Sequence, residues 1–313
     1  MKLRRRPNRR FDAAFANLSS PTHRGIGVLT VAFDGIAYGM LLFVLACGLV
    51  VTLGVMNFVN LAHGVFAMAG GYITVVLVNR LGFSFFAALP VAFLFAALLG
   101  LLLEQSLYRR VYAKSPLDQV LFTIGLVFVS VAAVDYVIGS QQQFVDLPGP
   151  LQGQFELFGV GIGRYRLLIV VLCGLIALAL QFILARSRFG SRLRAAVDDP
   201  RTARGLGINV GAVFSATFAV GSGLAGLGGA LGAEILGLDP TFPLKFMVYF
   251  LIVVSVGGTT SVSGAFLASL LLGIGDVAGK YYVPKFGGFA IYTIMIAVLI
   301  WRPRGLFARG TAR

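Results

Sequence analysis

Mostly apolar stretches alternate with short polar joints along nearly the whole chain. The apolar segments lie at about 27–53, 58–79, 84–107, 117–138, 167–186, 209–236, 246–280 and 287–301. A helix rising 1.5 Å per residue needs about 20 apolar residues to cross a bilayer. Several uncharged runs reach that length, among them Gly35–Asn79, Leu81–Leu103 and Phe246–Gly275. The 246–280 segment is long enough to cross twice and is interrupted at GGTTSVSG, residues 257–264. The 139–166 stretch carries Pro, Gly and Gln and reads as the large external loop. The pattern predicts an all-α, polytopic transmembrane bundle of about eight spans, some broken or re-entrant. A single membrane domain, 26–305, lies between a basic cytoplasmic tail at 1–25 and a short cytoplasmic tail at 306–313.

Composition sharpens this. The chain is 58% hydrophobic and 12% charged, against about 25% charged in soluble domains. The net charge of +14 is gathered in four places: the first ten residues, Arg109/Arg110/Lys114, the 186–204 stretch and the C-terminus. That spacing between spans is the signature of cytoplasmic loops, which hold Lys and Arg back from translocation, and it argues against a nucleic-acid partner. The first apolar run follows some 25 residues of tail and outlasts a signal-peptide core. Cys47 and Cys173 both lie inside apolar runs, as small buried hydrophobes rather than a disulfide.

The charges also set a puzzle of parity. The N-terminal tail and the Arg109–Lys114 joint are both basic and belong inside, yet three apolar segments separate them. Either one segment is re-entrant or the basic tail misleads. The segment most open to irregularity is MNFVNLAHGVFAMAGGY, 56–72, where Asn57, Asn60, His63 and glycines interrupt the apolar pattern. Non-helical backbone at membrane depth survives only inside protein or along a wet cavity.

One polar island stands out: RSRFGSRLRAAVDDPRTARGLGIN, 186–209. Leu193, Ala196, Val197 and Pro200 share one helical stripe, with Arg194, Asp198 and Arg201 off it. Asp199 followed by Pro200 reads as an N-cap and a first helical residue, and Gly205 or Gly207 would close the helix. Two short helices with a break near Asp198–Pro200 therefore lie on the surface. The pattern alone fits a helix floating on anionic headgroups or a dock for a cytosolic partner.

Other motifs are weaker. GSGLAG at 221–226 matches a dinucleotide fingerprint in letters but sits in an uncharged run, beside Gly228-x-x-x-Gly232, where small residues serve close helix packing. No Gly-x-x-x-x-Gly-Lys-Ser/Thr motif occurs, so the chain has no P-loop and needs partners for energy. His63 without further ligands is no metal site; it either hydrogen-bonds across helices or lines a pathway, and Asn57 and Asn60 share that ambiguity. Thr259, Thr260, Ser261 and Ser263 beside Gly257, Gly258 and Gly264 suggest a broken helix next to the pathway, whose freed N–H groups would face a carboxylate. The pathway candidates are these residues with Gly64. Asp34, Glu104, Asp118, Asp135, Glu234, Asp239 and Asp276 mostly sit near segment ends where water reaches them. Only Asp276 approaches the mid-membrane position an ion-coupled carrier would use. Nothing assembles a hydrolase-type constellation.

The run RAAVDDPRTARGLGIN resembles the cytoplasmic coupling loop of ABC importer permeases, specifically the branched-chain amino acid (Liv-type) permease family. LACGLVVTLGVMNFVNLAHGVFAMAGGYI, VGGTTSVSGAFLASLLLGIGD and the terminal RPRGLF resemble that family's early, late and closing blocks, in the same order. Length and first block are most similar to the shorter of its two permease subunits; Thr260 departs from the family's usual Gly. The resemblance implies a non-enzymatic transport subunit of a bacterial inner membrane, moving branched-chain or related amino acids inward. It implies a second homologous permease, a periplasmic or extracellular substrate-binding protein and two cytosolic ATPase subunits that bind the ATP; the chain itself would carry no cofactor and no metal. Coupling would fall on Arg194, Ala195, Ala196, Asp199, Pro200, Ala203, Gly205, Leu206 and Gly207, with Ala203→Glu blocking transport but not insertion. The alternative is a stand-alone ion-coupled secondary transporter of small polar solutes.

Overall fold

The computed structural model describes residues 21–306 except 57, 59, 158, 159, 259, 260 and 304. The tail 1–20, residues 307–313 and the candidates Asn57, Thr259 and Thr260 lie outside the described residues. The long helices are α1 (Pro21–Met56), α2 (His63–Val75, continued by a π turn to Arg80), α3 (Phe85–Ser106), α4 (Pro116–Ile138) and α5 (Arg164–Arg186). Two short helices follow, α6 (Arg188–Asp198) and α7 (Pro200–Gly205). The chain then returns in α8 (Val210–Leu236), α9 (Phe242–Gly257), α10 (Val262–Tyr282) and α11 (Ala290–Trp301). Among the described residues, six helices are long and apolar enough to cross a membrane, and α9 and the Gly287–Trp301 helix are shorter apolar ones. The chain is a multi-pass helical bundle. Among the described residues, the extended structure is a hairpin in the 139–166 loop, β1 (Gln154–Leu157) paired with β2 (Val160–Gly163), and an isolated antiparallel bridge between Gln143 and Leu238.

Local signals explain the boundaries. Ser115 caps α4, its hydroxyl accepting from the Asp118 amide at 3.3 Å, with Pro116 next in the first helical turn. The double crossing expected at 246–280 exists as α9 and α10. Gly258 at φ +93° ends α9, a left-handed turn that only glycine takes cheaply, and the Ser261 hydroxyl accepts the Gly264 amide at 2.9 Å to start α10.

Cross-helix contacts fix direction. At one end, Asn79 bonds Phe144 and Asp146, and the Tyr165 hydroxyl donates to Leu231 O at 2.6 Å. The start of α1 lies there too, since the Asp34 carboxylate pairs with Arg166. We term this the hairpin end. At the other, the coupling end, Glu104, Arg109 and Ser215 meet, and Leu306 N bonds Val256 O at 2.8 Å. The end-to-end helices alternate between these ends in chain order. The start of α1 and the Arg109 segment therefore lie at opposite ends of the bundle. Helix α1 ends at Met56 and α2 starts at His63, running from there to the hairpin end.

α8 is the central helix, packed on α1, α2 and α3. Its glycines permit this. A Cβ on Gly229 would lie 1.8 Å from the Ala67 carbonyl oxygen, and one on Gly221 3.2 Å from the Cα of Gly48. GSGLAG is thus a packing surface inside a helix, as its uncharged setting indicated. Cys47 and Cys173 are buried and unpaired with one another.

Candidate coupling helices and polar pathway

The island folds as two helices clamped beneath α5 and α8. Ser187 caps α6, accepting the Gly190 amide at 3.1 Å. Gly190 backs onto α5 so closely that a Cβ would come 2.3 Å from the Leu184 carbonyl oxygen. The Arg194 guanidinium donates to that same carbonyl. Asp199 makes the break: its carboxylate accepts the amides of Arg201 (2.9 Å) and Thr202 (3.2 Å) and the Thr202 hydroxyl. Pro200 opens α7, and Gly207, at φ +80°, closes it.

The Thr202 hydroxyl, then the Thr202 and Arg201 amides, hold the Asp199 carboxyl below its ordinary range. A depressed folded value means the cap is fully present above the unfolded carboxylate range and lost as pH falls through the lower folded one. It is therefore intact at neutral pH. Asp199→Ala frees both amides, and hydrogen exchange at 201 and 202, in the first turn of α7, accelerates while α6 keeps its protection.

The stripe is real but ends one residue early. Leu193 and Ala196 are buried, whereas Pro200 is exposed and belongs to the next helix. Leu193, Ala196, Ala203, Val210 and Val213 form a separate apolar cluster with Leu184 and Phe214. The apolar face is thus spent on the bundle itself. Ala203 is only 2% exposed and Ala196 is fully buried, so of the coupling candidates these two face the bundle rather than the rim. Ala203→Glu traps a carboxylate among Leu193, Val210 and Val213. Its expected outcome is loss of exchange protection throughout α6 and α7, a folding defect that leaves docking untested. The free rim consists of Arg194, Asp199, Pro200, Gly205, Leu206 and Gly207, together with Arg201 and Arg204, which the sequence reading left aside; Ala195 is half-buried. Leu206 is 75% exposed.

A buried polar knot braces the floor beside this platform. Glu104 accepts from Arg109 Nε at 3.1 Å, Ser215 Oγ at 2.8 Å and the Tyr112 hydroxyl at 3.3 Å, and Arg109 also donates to Ser215 at 2.6 Å. It ties the end of α3 to the base of α8. Glu104 is buried, against the expectation that segment-end carboxylates reach water, and Asp276, the one carboxylate set apart from that expectation, is buried too. The Glu-x₄-Arg spacing at 104–109 was the one trace in the sequence.

Of the pathway candidates, Asn60 and His63 come together inside the bundle. Asn60 Oδ1 accepts from the Ala62 amide and the Tyr108 hydroxyl, both at 3.1 Å. His63 Nε2 lies 2.9 Å from Leu45 O, its ring edge-on to Phe250. The imidazole therefore bonds across helices, the proton resting on Nε2, and Gly64 packs on Pro243. The second group stands apart: Gly257 packs on Ala265 and Gly258 against Gly305 of the closing RPRGLF turn, Gly264 is buried, and Ser263 is exposed. Among the described residues no hydrogen bond joins the two groups.

The chain is a membrane bundle with a polar two-helix platform at one end. Residues 31–299 match the family described as branched-chain amino acid transport system / permease component, and the chain belongs to that family. It is 27% identical over 289 residues to the high-affinity branched-chain amino acid transport system permease protein BraD of Pseudomonas aeruginosa, covering 88% of this chain and 94% of the relative. It is 27% identical over 292 residues to LivH of Escherichia coli K12, with the same coverage. Against LivM of that organism it is 26% identical over 293 residues, covering 85% of this chain and only 68% of the relative. The chain is therefore like the shorter permease. No solved structure matches it.

Proposed function

We propose that the chain is a membrane-spanning subunit of an ABC importer that carries branched-chain or related amino acids into a bacterial cell across the inner membrane. A second homologous permease completes the pathway, and a substrate-binding protein delivers the solute at the hairpin end. Two ATPase subunits bind ATP and press on the α6–α7 rim; the chain supplies no nucleotide site, cofactor or metal of its own. The observation that carries this is the platform: its apolar face is consumed by α5 and α8, so a push on the exposed rim moves both helices rather than bending a loop. A helix merely floating on headgroups would turn that apolar face to lipid. Asn60, His63, Gly257, Gly258, Ser261 and Ser263 mark the two places where helices break and rearrange around the pathway.

On this reading the coupling end is cytoplasmic and the hairpin end faces the opposite side. Gentle purification of the tagged chain from its native membrane is expected to bring down a second permease and two P-loop ATPases in stable proportion. A clean homo-oligomer lacking ATPase would replace this reading with an ion-coupled carrier built around buried Asp276.

A further inference from the structure

At the hairpin end, α1, α5, α8, α9 and α10 surround a cavity of about 610 Å³, within the size range of small-molecule sites. Its charged lining consists of three carboxylates and three cations, Asp34 with Arg166, Asp239 with Lys245, and Asp276 with Lys280. None of the three pairs spans the opening between α9 and α10. Asp239–Lys245 stays at the start of α9, Asp276–Lys280 runs one turn along α10 at 2.5 Å, and Asp34–Arg166 fastens α1 to α5. They do not draw those two walls shut, and the summed charge of the lining is zero.

Asp276 is the anomaly. Its side chain is 0% exposed, Oδ2 holds Lys280, and Oδ1 has no hydrogen-bond partner among the described residues. A buried carboxylate oxygen left unmatched is costly, and a donor brought to it is correspondingly favoured. Across the cavity Lys245 is 58% exposed, a flexible ammonium able to turn toward a second acceptor. Leu236, Phe246 and Val277 supply apolar wall.

We infer that this cavity is a receiving site for the zwitterionic head of an amino acid, its ammonium on Asp276 and its carboxylate toward Lys245. A neutral lining with separated charges disfavours a lone anion or cation and suits a dipolar solute. The aliphatic side chain then rests on Leu236, Phe246 and Val277. The inference deepens the import reading and rests on it for the choice of solute.

The test is equilibrium binding of labelled L-leucine to the purified complex in phosphatidylglycerol nanodiscs, where no zwitterionic headgroup competes, without binding protein or ATP. Asp276→Asn and Lys245→Gln are each expected to weaken binding about tenfold or more, the loss of one charge-assisted hydrogen bond. Leucinol, lacking the carboxylate, and 4-methylpentanoate, lacking the amine, should compete about tenfold less well than leucine. Variants that bind as the wild type does, analogues that compete as well as leucine, or a wild-type complex that binds no leucine at millimolar concentration would each overturn the site. If Asp276→Asn fails to assemble, the exposed Lys245 and the analogues decide. Binding-protein-dependent leucine uptake by the same wild-type complex tests the importer reading separately, so either can fail alone.

Discussion

Leu206→Glu is expected to abolish ATP-driven uptake while leaving a folded permease in the membrane. Leu206 caps the C-terminal end of α7 with its side chain 75% exposed. Around it stand exposed Arg201, Arg204, Gly205 and Gly207, while its neighbour Ala203 points inward to hold the helix on α8. The substitution therefore disturbs no packing within the chain. At a partner interface, however, a glutamate in place of an apolar side chain must be desolvated without a partner, at a cost of about 2 kcal/mol or more. About 30-fold or greater loss of ATPase association follows, with uptake falling in step. The readouts are ATPase subunits recovered with the tagged permease, uptake in vesicles, and unchanged thermal unfolding of the permease. Leu206→Met should retain most of both functions. Normal uptake by Leu206→Glu would mean that the rim is not where force enters.

The contrast between Leu206 and Ala203 shows what the sequence could and could not convey. Helix number, the break before His63 and the break at Gly258–Ser261 were legible because each depends on local chemistry: apolar length, an Asn-rich joint, a glycine turn capped by a hydroxyl. The cap at Asp199 was legible for the same reason. Which face of a six-residue helix turns inward is not local. It depends on Val210 and Val213 arriving from the next helix, and two small residues, Ala203 and Gly205, look alike until that helix is placed. Glu104 misled in the same way: nearness to a segment end suggested water, but Ser215 comes from a helix over one hundred residues later.

Gly229→Val, in contrast to Leu206→Glu, should leave little folded protein to assay. An added Cβ there would sit 1.8 Å from the Ala67 carbonyl oxygen and 2.6 Å from its carbon. Both atoms are backbone, so no rotamer change relieves the clash and α2 must move bodily away from α8. That movement separates Gly70 from Gly226, where a Cβ on Gly70 would come 2.3 Å from the Gly226 backbone, and drags on the His63–Leu45 hydrogen bond at 2.9 Å. Overpacking costs typically 1–3 kcal/mol where side chains can adjust, and more is expected where they cannot, against a total stability of about 5–15 kcal/mol. Gly125→Val is the matched control: it lies on α4 with nothing within 4 Å of its added Cβ, and it should accumulate like the wild type. Gly229→Ala should fall between, since its single methyl meets the same carbonyl. The graded series, read as folded protein recovered per cell and as thermal unfolding in detergent, bears on function as well as stability. α2 begins at the broken Asn60–His63 segment, and it is the contact with α8 that sets how deep that break lies. Wild-type stability in Gly229→Val would show that the two helices do not touch here and that something else holds the break in place.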